Sequence, residues 1–295
     1  MSFDNAYQAL TEDSSGDGRW AFGTGFADPL AGVDTRLPEG VDGQLLAQYC
    51  LMLADDALVT SQRLTEWVSW APELEDEMAL ANIALDLLGQ ARMLLTRAGQ
   101  ADGTGRGEDE LAYFRNEHQF RNVRLAEMPN GDFGHTVARI LLFASWRLAV
   151  FARLRESRDP MLAAIAAKAV KELTYHREYA ASWVIRLGDG TELSHQRVQR
   201  GLEELWPLVE ELFTSHEVEQ QLATSGVAVL PDSVREEFDQ VLEQVLATAT
   251  LQRPDLPALP GVAGKAGRDG VHTEHLGYLL AEMQSVARAY PGAKW

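Results

Sequence analysis

The chain has 295 residues, 46% of them hydrophobic, and its 44 acidic and 26 basic residues give a formal net charge of −18. This length and composition allow a large buried core, whereas the negative charge disfavours binding to nucleic acid or to anionic lipid surfaces. The N-terminal residues lack a basic region followed by an apolar run, and no apolar run approaches the roughly 20 residues that span a bilayer. We therefore expect a cytoplasmic protein. Cys50 is the only cysteine, which excludes an intrachain disulfide and predicts a buried structural thiol.

Two regions are distinguished along the chain. Residues 1–43 are rich in Gly, Asp and Pro and show no sustained apolar period, which predicts a flexible N-terminal arm. From Gln44 the apolar residues recur at three- and four-residue spacing, which predicts a helical domain over 44–295. A second long helix is expected after Pro72, where acidic residues favour a helix start, and to end near Ala98.

The next elements complete a four-helix pattern. A glycine-rich loop, a short helix over 111–120 and a turn precede a third long helix that starts at Phe133. A fourth follows Pro160 and ends at Gly188. Two hairpins of long helices predict an all-α, ferritin-like four-helix bundle. Its core is expected over about 44–188, with accessory helices over about 194–290, at roughly 194–223, 231–250 and 274–290.

The centre of such a bundle is where a metal site would lie. Ferritin-like carboxylate bundles hold two irons with a carboxylate from each of two helices and a Glu-x-x-His pair from each of the other two. The second helix has Asp86, with Gly89 at the histidine position, and the fourth has Glu172, with Tyr175 there. Both pairs lack the imidazole, although His176 follows one position late.

The remaining two helices supply only one of two carboxylates. Reflection through the hairpin turns places Asp56, with Asp55 beside it, opposite Asp86, and Ala144 opposite Glu172. Because inner ligands are missing, we expect no metal, cofactor-binding or catalytic residue in this chain. The degenerate positions are Asp56, Asp86, Gly89, Ala144, Glu172 and Tyr175, with Lys168 and His176 nearby.

Lys168 lies one turn before Glu172 on the same helix face. Its ammonium group is expected either to replace a metal cation beside buried Glu172 or Asp86, or to lie solvated on the outer face. If it is the buried cation, its removal should destabilise the fold.

Other polar and aromatic residues are weaker candidates. The segment VHTEHLG contains His272, Glu274 and His275; a helix start capped by Thr273 is favoured over a metal cluster. Asn82 and Gln90 flank Asp86 and are expected to hydrogen-bond within the core. Packing is the expected role of the helix-face aromatics, which are Trp67, Trp70, Trp146, Trp183, Tyr175 and Tyr179.

Several long segments together resemble one protein family. They are LADDALVTSQRLTEW, APELEDEMALANIALDLLGQARMLL, RNEHQFRNVRLAEMPNGDF, ESRDPMLAAIAAKAVKELTYHREYAASWVIRLGDGT and HTEHLGYLLAEMQSVARAYPGAKW. In this order they resemble the C-subunit family, PaaC, of the phenylacetyl-CoA ring 1,2-epoxidase. The resemblance covers residues 44–295 and leaves the 43-residue leader unmatched.

The resemblance implies a ferritin-like subunit of a multicomponent bacterial monooxygenase of aerobic phenylacetate degradation. It implies that a related A subunit carries the di-iron centre and the substrate, that a reductase supplies electrons from NADPH, and that members of the PaaC family are non-catalytic structural partners. We therefore expect this chain to bind and position a catalytic homologue through its acidic exterior and exposed helix aromatics.

Two alternatives remain open at the level of sequence. The chain could itself be a di-iron oxygenase with the irregular ligands Asp56, Asp86, Glu172 and His176, and iron content would distinguish that case. It could instead be a helical scaffold that pairs only with itself; co-purification with a catalytic homologue would exclude that.

Overall fold

A computed structural model describes residues 30–293, so most of the predicted N-terminal arm, residues 1–29, lies outside the described residues. Over this range the fold contains ten α-helices and no β-strand, which confirms the all-α prediction and is consistent with a ferritin-like bundle. The helices are α1 Gly43–Thr65, α2 Leu74–Ala101, α3 Glu108–Tyr113, α4 Arg124–Glu127, α5 Phe133–Leu154, α6 Pro160–Gly188, α7 Glu192–Leu205, α8 Glu217–Thr224, α9 Arg235–Thr248 and α10 Glu274–Ala289.

The four long helices form the bundle. Helices α1 and α2 pack as one hairpin, α5 and α6 as a second, and α2 packs against α6 between the hairpins. Helix α5 is the most buried, with nearly every residue from Gly134 to Phe151 inside the fold. The C-terminal helices cover the outside of the bundle: α7 and α9 pack on α5 and α6, and α10 packs on α3. The centre of the bundle is therefore shielded from water.

Aspartates fix where three of the four bundle helices begin. The side chain of Asp42 accepts a hydrogen bond from the backbone N–H of Gln44, 2.8 Å away, at the start of α1. Asp132 and Asp159 do the same for the first turns of α5 and α6. Each cap pairs a backbone N–H that the helix itself leaves without an acceptor.

The structure corrects the predicted accessory helix over 194–223. Helix α7 ends at Leu205, two 3₁₀ turns follow, and α8 begins only at Glu217. Pro207 lies in the first of these turns. The proline ring has no N–H to continue an α-helical ladder and clashes with the preceding turn, so the helix ends before it. The predicted short helix over 111–120 is likewise divided, into α3 and a 3₁₀ turn at Glu117–Gln119.

Helix α2 contains one long apolar window. Among the described residues it is the one helix whose length and composition would allow it to cross a membrane, and half of the relevant window is buried inside the fold. Sequence inspection did not identify this window as a long apolar run, because single polar residues interrupt it. Core helices of globular proteins meet the same criterion, and α2 forms one wall of the bundle.

Candidate functional site

The predicted carboxylates of α1 are buried and each is paired with an arginine. Arg115 donates to both oxygens of Asp55, with Nη1 2.9 Å from Oδ2. The backbone N–H of Arg121 also donates to Asp55. Because a buried carboxylate is stable only when its charge and lone pairs are matched, Asp55 is a structural anchor for the loop after α3.

Asp56 is held in the same way by a residue far away in the sequence. Arg268 donates from Nη2 to Oδ2 at 2.8 Å and from Nη1 to Oδ1 at 3.0 Å, and the Val123 N–H donates to Oδ1 at 2.9 Å. Burial lowers the pKa of Arg268, but Asp56 and other nearby carboxylates outweigh burial, so its pKa is raised. The pair is therefore a charge-matched, two-pronged bridge between α1 and the segment before α10.

A third arginine occupies the middle of the bundle. Arg147, on α5, is completely buried; its Nε donates to Oε1 of Gln90 and its Nη1 to the carbonyl of Leu53, each over 3.1 Å. The guanidinium lies 4.2 Å from the centroid of the Phe151 ring. Burial lowers the pKa of Arg147 to about 10, and the charge of Asp56 opposes that shift. Arg147 is therefore cationic at neutral pH.

Gln90 extends this contact to the fourth helix. Its Nε2 donates to Oε2 of Glu172 over 3.0 Å, and Lys168 forms an ion pair with the other carboxylate oxygen. We call the Leu53 carbonyl, Gln90, Arg147 and Glu172 the central network. It joins side chains of α2, α5 and α6 to a backbone carbonyl of α1, as a shared metal would join the four helices of a carboxylate bundle.

Lys168 lies at the edge of the network. Its side chain is 39% exposed, whereas that of Glu172 is 15% exposed. The structure thus combines the two interpretations of Lys168, since the lysine pairs with Glu172 but remains accessible to water. The buried cation of the central network is Arg147, which the sequence analysis did not identify. The available signal was a charged residue within the apolar helix centre LLFASWRLAV.

Asp86 and His176 pair with each other at the margin of the bundle. Nε2 of His176 lies 3.0 Å from Oδ2 of Asp86, and His176 is 1% exposed. Gly89 and Tyr175, three positions after Asp86 and Glu172, do not face the centre of the bundle. Tyr175 is 47% exposed, and a Cβ added to Gly89 would meet no atom within 4 Å. The inward positions are therefore the i+4 residues Gln90 and His176, because 3.6 residues per turn allows either spacing to share a face.

The residues present do not fit a di-iron centre. Ala144 is buried and brings no oxygen to the fourth corner of the site. Asp56 and Glu172 already have cationic partners in Arg268 and Lys168. Within residues 30–293, no three His, Cys, Asp or Glu side chains form a group that could hold a metal ion. The carboxylate and imidazole groups at these positions make hydrogen bonds and ion pairs within the protein instead.

The second cluster considered in the sequence also makes internal hydrogen bonds. His272 is buried, with Nδ1 2.9 Å from Oε2 of Glu127 and Nε2 3.1 Å from the carbonyl of Phe120. The N–H of Thr273 donates to Glu127 as well. Helix α10 begins at Glu274, so Thr273 holds the N-cap position, although its hydroxyl makes no capping hydrogen bond.

The other polar and aromatic candidates divide between core and surface. Gln90 is fully buried, as expected, whereas Asn82 is exposed and makes no side-chain hydrogen bond to Asp86. Trp146 is buried below Arg268, at 5.9 Å from ring centroid to guanidinium carbon. Trp70 is 79% exposed in the turn before α2.

A groove of about 580 Å³ opens between the first turns of α2 and the C-terminal half of α6. Its walls are mainly acidic and aromatic, with Arg186 as a basic member, and the Tyr179 hydroxyl donates to Oδ1 of Asp76 across it over 3.0 Å. The lining residues with exposed carboxylates are Glu73, Glu75 and Glu178. Such a surface favours contact with cationic side chains.

Gly89 lies in the interior of α2 without a structural reason in the described chain. Glycine is about 1 kcal/mol less favourable than alanine within a helix, and the space beside Gly89 is open. By contrast, a Cβ at Gly99 would lie only 1.9 Å from the carbonyl oxygen of Arg106, so the fold itself requires that glycine.

Comparison with known proteins gives a consistent result. The family model described as phenylacetic acid catabolic protein matches residues 34–295. The chain is also similar to the C subunit of 1,2-phenylacetyl-CoA epoxidase of Escherichia coli strain K12, with 47% identity over 250 residues. The alignment covers 85% of this chain and 99% of that relative.

Proposed function

The chain belongs to the phenylacetic acid catabolic protein family, and on that premise we propose that it is a non-catalytic structural subunit of a multicomponent phenylacetyl-CoA 1,2-epoxidase. In this proposal a homologous catalytic subunit carries the di-iron centre and the substrate, and a reductase component supplies electrons from NADPH. This chain binds the catalytic homologue and holds it in position. Its similarity to the C subunit of the E. coli epoxidase supports the assignment.

The observation that carries the non-catalytic assignment is the central network. Arg147 is at the centre of the bundle as a permanent cation, and its hydrogen bonds take up Gln90 and the Leu53 carbonyl. Glu172 and Asp56 are paired with Lys168 and Arg268. A di-iron centre needs carboxylates whose lone pairs are free for metal, and these are engaged by protein donors.

The contribution of such a subunit is mechanical. The two helix hairpins are fixed to each other by side chains of α2, α5 and α6 and by a backbone carbonyl of α1, so the outer faces of the bundle keep a constant shape. A rigid face can hold a partner's helices, and with them the partner's metal ligands, in one geometry. The proposal also keeps the chain in the cytoplasm.

Metal analysis tests the proposal. The chain should be purified alone and again after co-expression with the catalytic A-type homologue encoded in the same genome. We expect iron only in the co-expressed sample, together with a stable assembly on size-exclusion chromatography. Two irons per chain in the lone protein would contradict the proposal and make this chain the oxygenase. Assembly with itself but not with the homologue would favour a self-pairing scaffold.

A further inference from the structure

The outward face of α2 carries a regular row of apolar side chains. Leu74, Met78 and Leu85 are 60–68% exposed, and Leu88 is 37% exposed. With half-buried Ala81 they follow one another at spacings of four, three, four and three residues. We call these five residues the outer stripe. This heptad spacing is the one by which helices pair in coiled coils.

The opposite face of α2 is apolar as well. Leu80, Ile83, Leu87 and Leu94 are buried in the bundle, so the helix has one apolar face turned inward and one turned outward. A helix of an isolated globular protein is normally polar on its outer face, and a helix that is apolar all round is normally buried all round. The inner face has its partner within this chain, and the outer stripe has none among the described residues.

Gly89 adds an independent observation. It lies beside Leu85 and Leu88, one turn after Leu85, and no atom of the described chain lies where its Cβ would be. Small residues within a helix–helix interface let two backbones approach closely. A helix packed across the outer stripe at this point would account for a glycine that the fold of this chain does not require.

We propose that the outer stripe is a docking surface for an amphipathic helix of a partner chain, with Gly89 at the point of closest approach. The inference rests on the proposed function, because the occupant we assign is a helix of the catalytic homologue. That helix presents apolar residues at heptad spacing and basic residues at the end that meets the first turn of α2.

Charge complementarity supports this occupant over a second copy of the chain. Glu73, Glu75 and Glu178 lie exposed beside the N-terminal end of the outer stripe and make no ion pair among the described residues; Arg186 lines the same groove, so the local charge remains negative. The chain carries a formal charge of −18, so two copies repel each other, whereas a partner with basic residues at this position is attracted.

The first test replaces the centre of the stripe. Leu85→Glu should weaken binding to the A-type homologue at least about tenfold in a calorimetric titration, because it buries an unpaired charge in the interface. Leu193→Glu is the matched control, since Leu193 is also an exposed leucine, 57% accessible, but lies on α7. The control should bind as the unmodified chain does.

The second test separates docking from folding. Gly89→Ala should raise the midpoint of thermal unfolding of the lone chain by about 2–4 °C, because alanine favours a helix and its methyl group enters open space. The same substitution should weaken partner binding, by about tenfold for alanine and more for Gly89→Leu. A substitution that stabilises the chain while it weakens the complex is the signature of a site reserved for a partner.

The outcomes distinguish the two proposals. If the unmodified chain does not bind the A-type homologue, the proposed function fails. If it binds and both the Leu85 and Gly89 variants bind equally well, only the docking surface is wrong. Loss of thermal stability in lone Leu85→Glu by more than about 4 °C would mean that a segment of the same chain covers the stripe. Dimerisation of the lone chain that Leu85→Glu abolishes would assign the stripe to a second copy. Either result overturns the inference.

Discussion

Two arginines determine what the centre of this bundle can do. Arg147 and Arg268 place guanidinium groups, rather than metal ligands, against the central polar residues, and both arginines are buried. Arg268 forms a direct pair with Asp56, whereas Arg147 connects to Glu172 through Gln90. A guanidinium cannot be exchanged or removed by a chelator as a metal ion can. The bundle therefore has permanent internal cations.

Replacing Arg147 tests whether its buried guanidinium group stabilises the bundle. Arg147→Met should lower the free energy of unfolding by about 2–4 kcal/mol, because it leaves Gln90 and the Leu53 carbonyl without a donor in the core. Lys168→Ala, which removes the accessible cation next to Glu172, should cost only about 0.3–0.5 kcal/mol. Urea titration of both variants measures the difference. Equal effects would contradict the prediction that the buried arginine contributes more to stability than the partly exposed lysine.

A double substitution checks the connection between the helices. If Arg147 acts on Glu172 through Gln90, then Arg147→Met combined with Glu172→Gln should destabilise by less than the sum of the single changes, by about 0.5 kcal/mol or more. Strict additivity would show that the central network does not act as a unit.

A buried histidine gives the fold a dependence on pH. Burial lowers the pKa of His135, and the charge of Arg139 one turn later lowers it further. The unfolded chain then binds a proton more readily than the folded chain, so this contribution is fully present above the unfolded pKa of about 6.5 and is lost as pH falls through the lowered folded pKa. We expect the wild type to lose stability relative to His135→Gln between about pH 7.5 and pH 5.5. The exposed-histidine variant His118→Gln serves as the control, and parallel melting curves for wild type and His135→Gln would contradict the prediction.

The start of helix α6 depends on one aspartate that has two roles. Asp159 accepts the Leu162 N–H over 2.9 Å as the N-cap, and it also pairs with buried Arg97 of α2. Arg97 in turn donates to the carbonyl of Thr35 over 2.6 Å. The same aspartate therefore fixes the beginning of α6, its position against α2, and the described residues that precede α1.

Asp159→Ala should consequently cost more than the loss of an ordinary cap. We expect a fall of about 3–5 kcal/mol in the free energy of unfolding, because the change leaves Arg97 buried without its counter-ion. Asp42→Ala is the matched control, since Asp42 caps α1 with no arginine partner, and it should cost about 1 kcal/mol. Denaturant melts measure both, and a similar small loss in each would mean that the Arg97 pair contributes little.

Helix α2 serves two environments at once. Its inner face builds the core and carries Gln90, and its outer stripe is free in the described chain. This double demand agrees with the apolar window within α2. The cost of Gly89 to the helix is explained on the same basis if a partner helix approaches there.

Different charged groups of the molecule stabilise the fold and take part in assembly. Ion pairs between distant segments, such as Asp56 with Arg268 and Asp55 with Arg115, tie the loops and the C-terminal region to α1. The excess of negative charge lies outside this framework, where it repels other copies of the chain and attracts basic partners. An association of this kind should weaken as ionic strength rises, because exposed charges are screened.

The order of the long helices, the proline at the start of α6 and the family could be predicted from the sequence alone. Local periodicity and capping depend on neighbouring residues, so they can be read directly. The sequence also predicted an incomplete ligand set, because Ala144, Gly89 and Tyr175 stand where a carboxylate and two histidines would be needed.

The side chains that fill the centre of the bundle, and those that face outward, could be identified only from the tertiary structure. Asp56 meets Arg268 across 212 residues of sequence, and no local pattern predicts that contact. Spacings of three and four residues both lie on one helix face, so the sequence could not decide that Gln90 and His176, rather than Gly89 and Tyr175, turn inward. The packing of distant helices sets which helix faces meet. That packing places Arg147 inside the bundle as a cation. It leaves the outer stripe of α2 without a partner among the described residues.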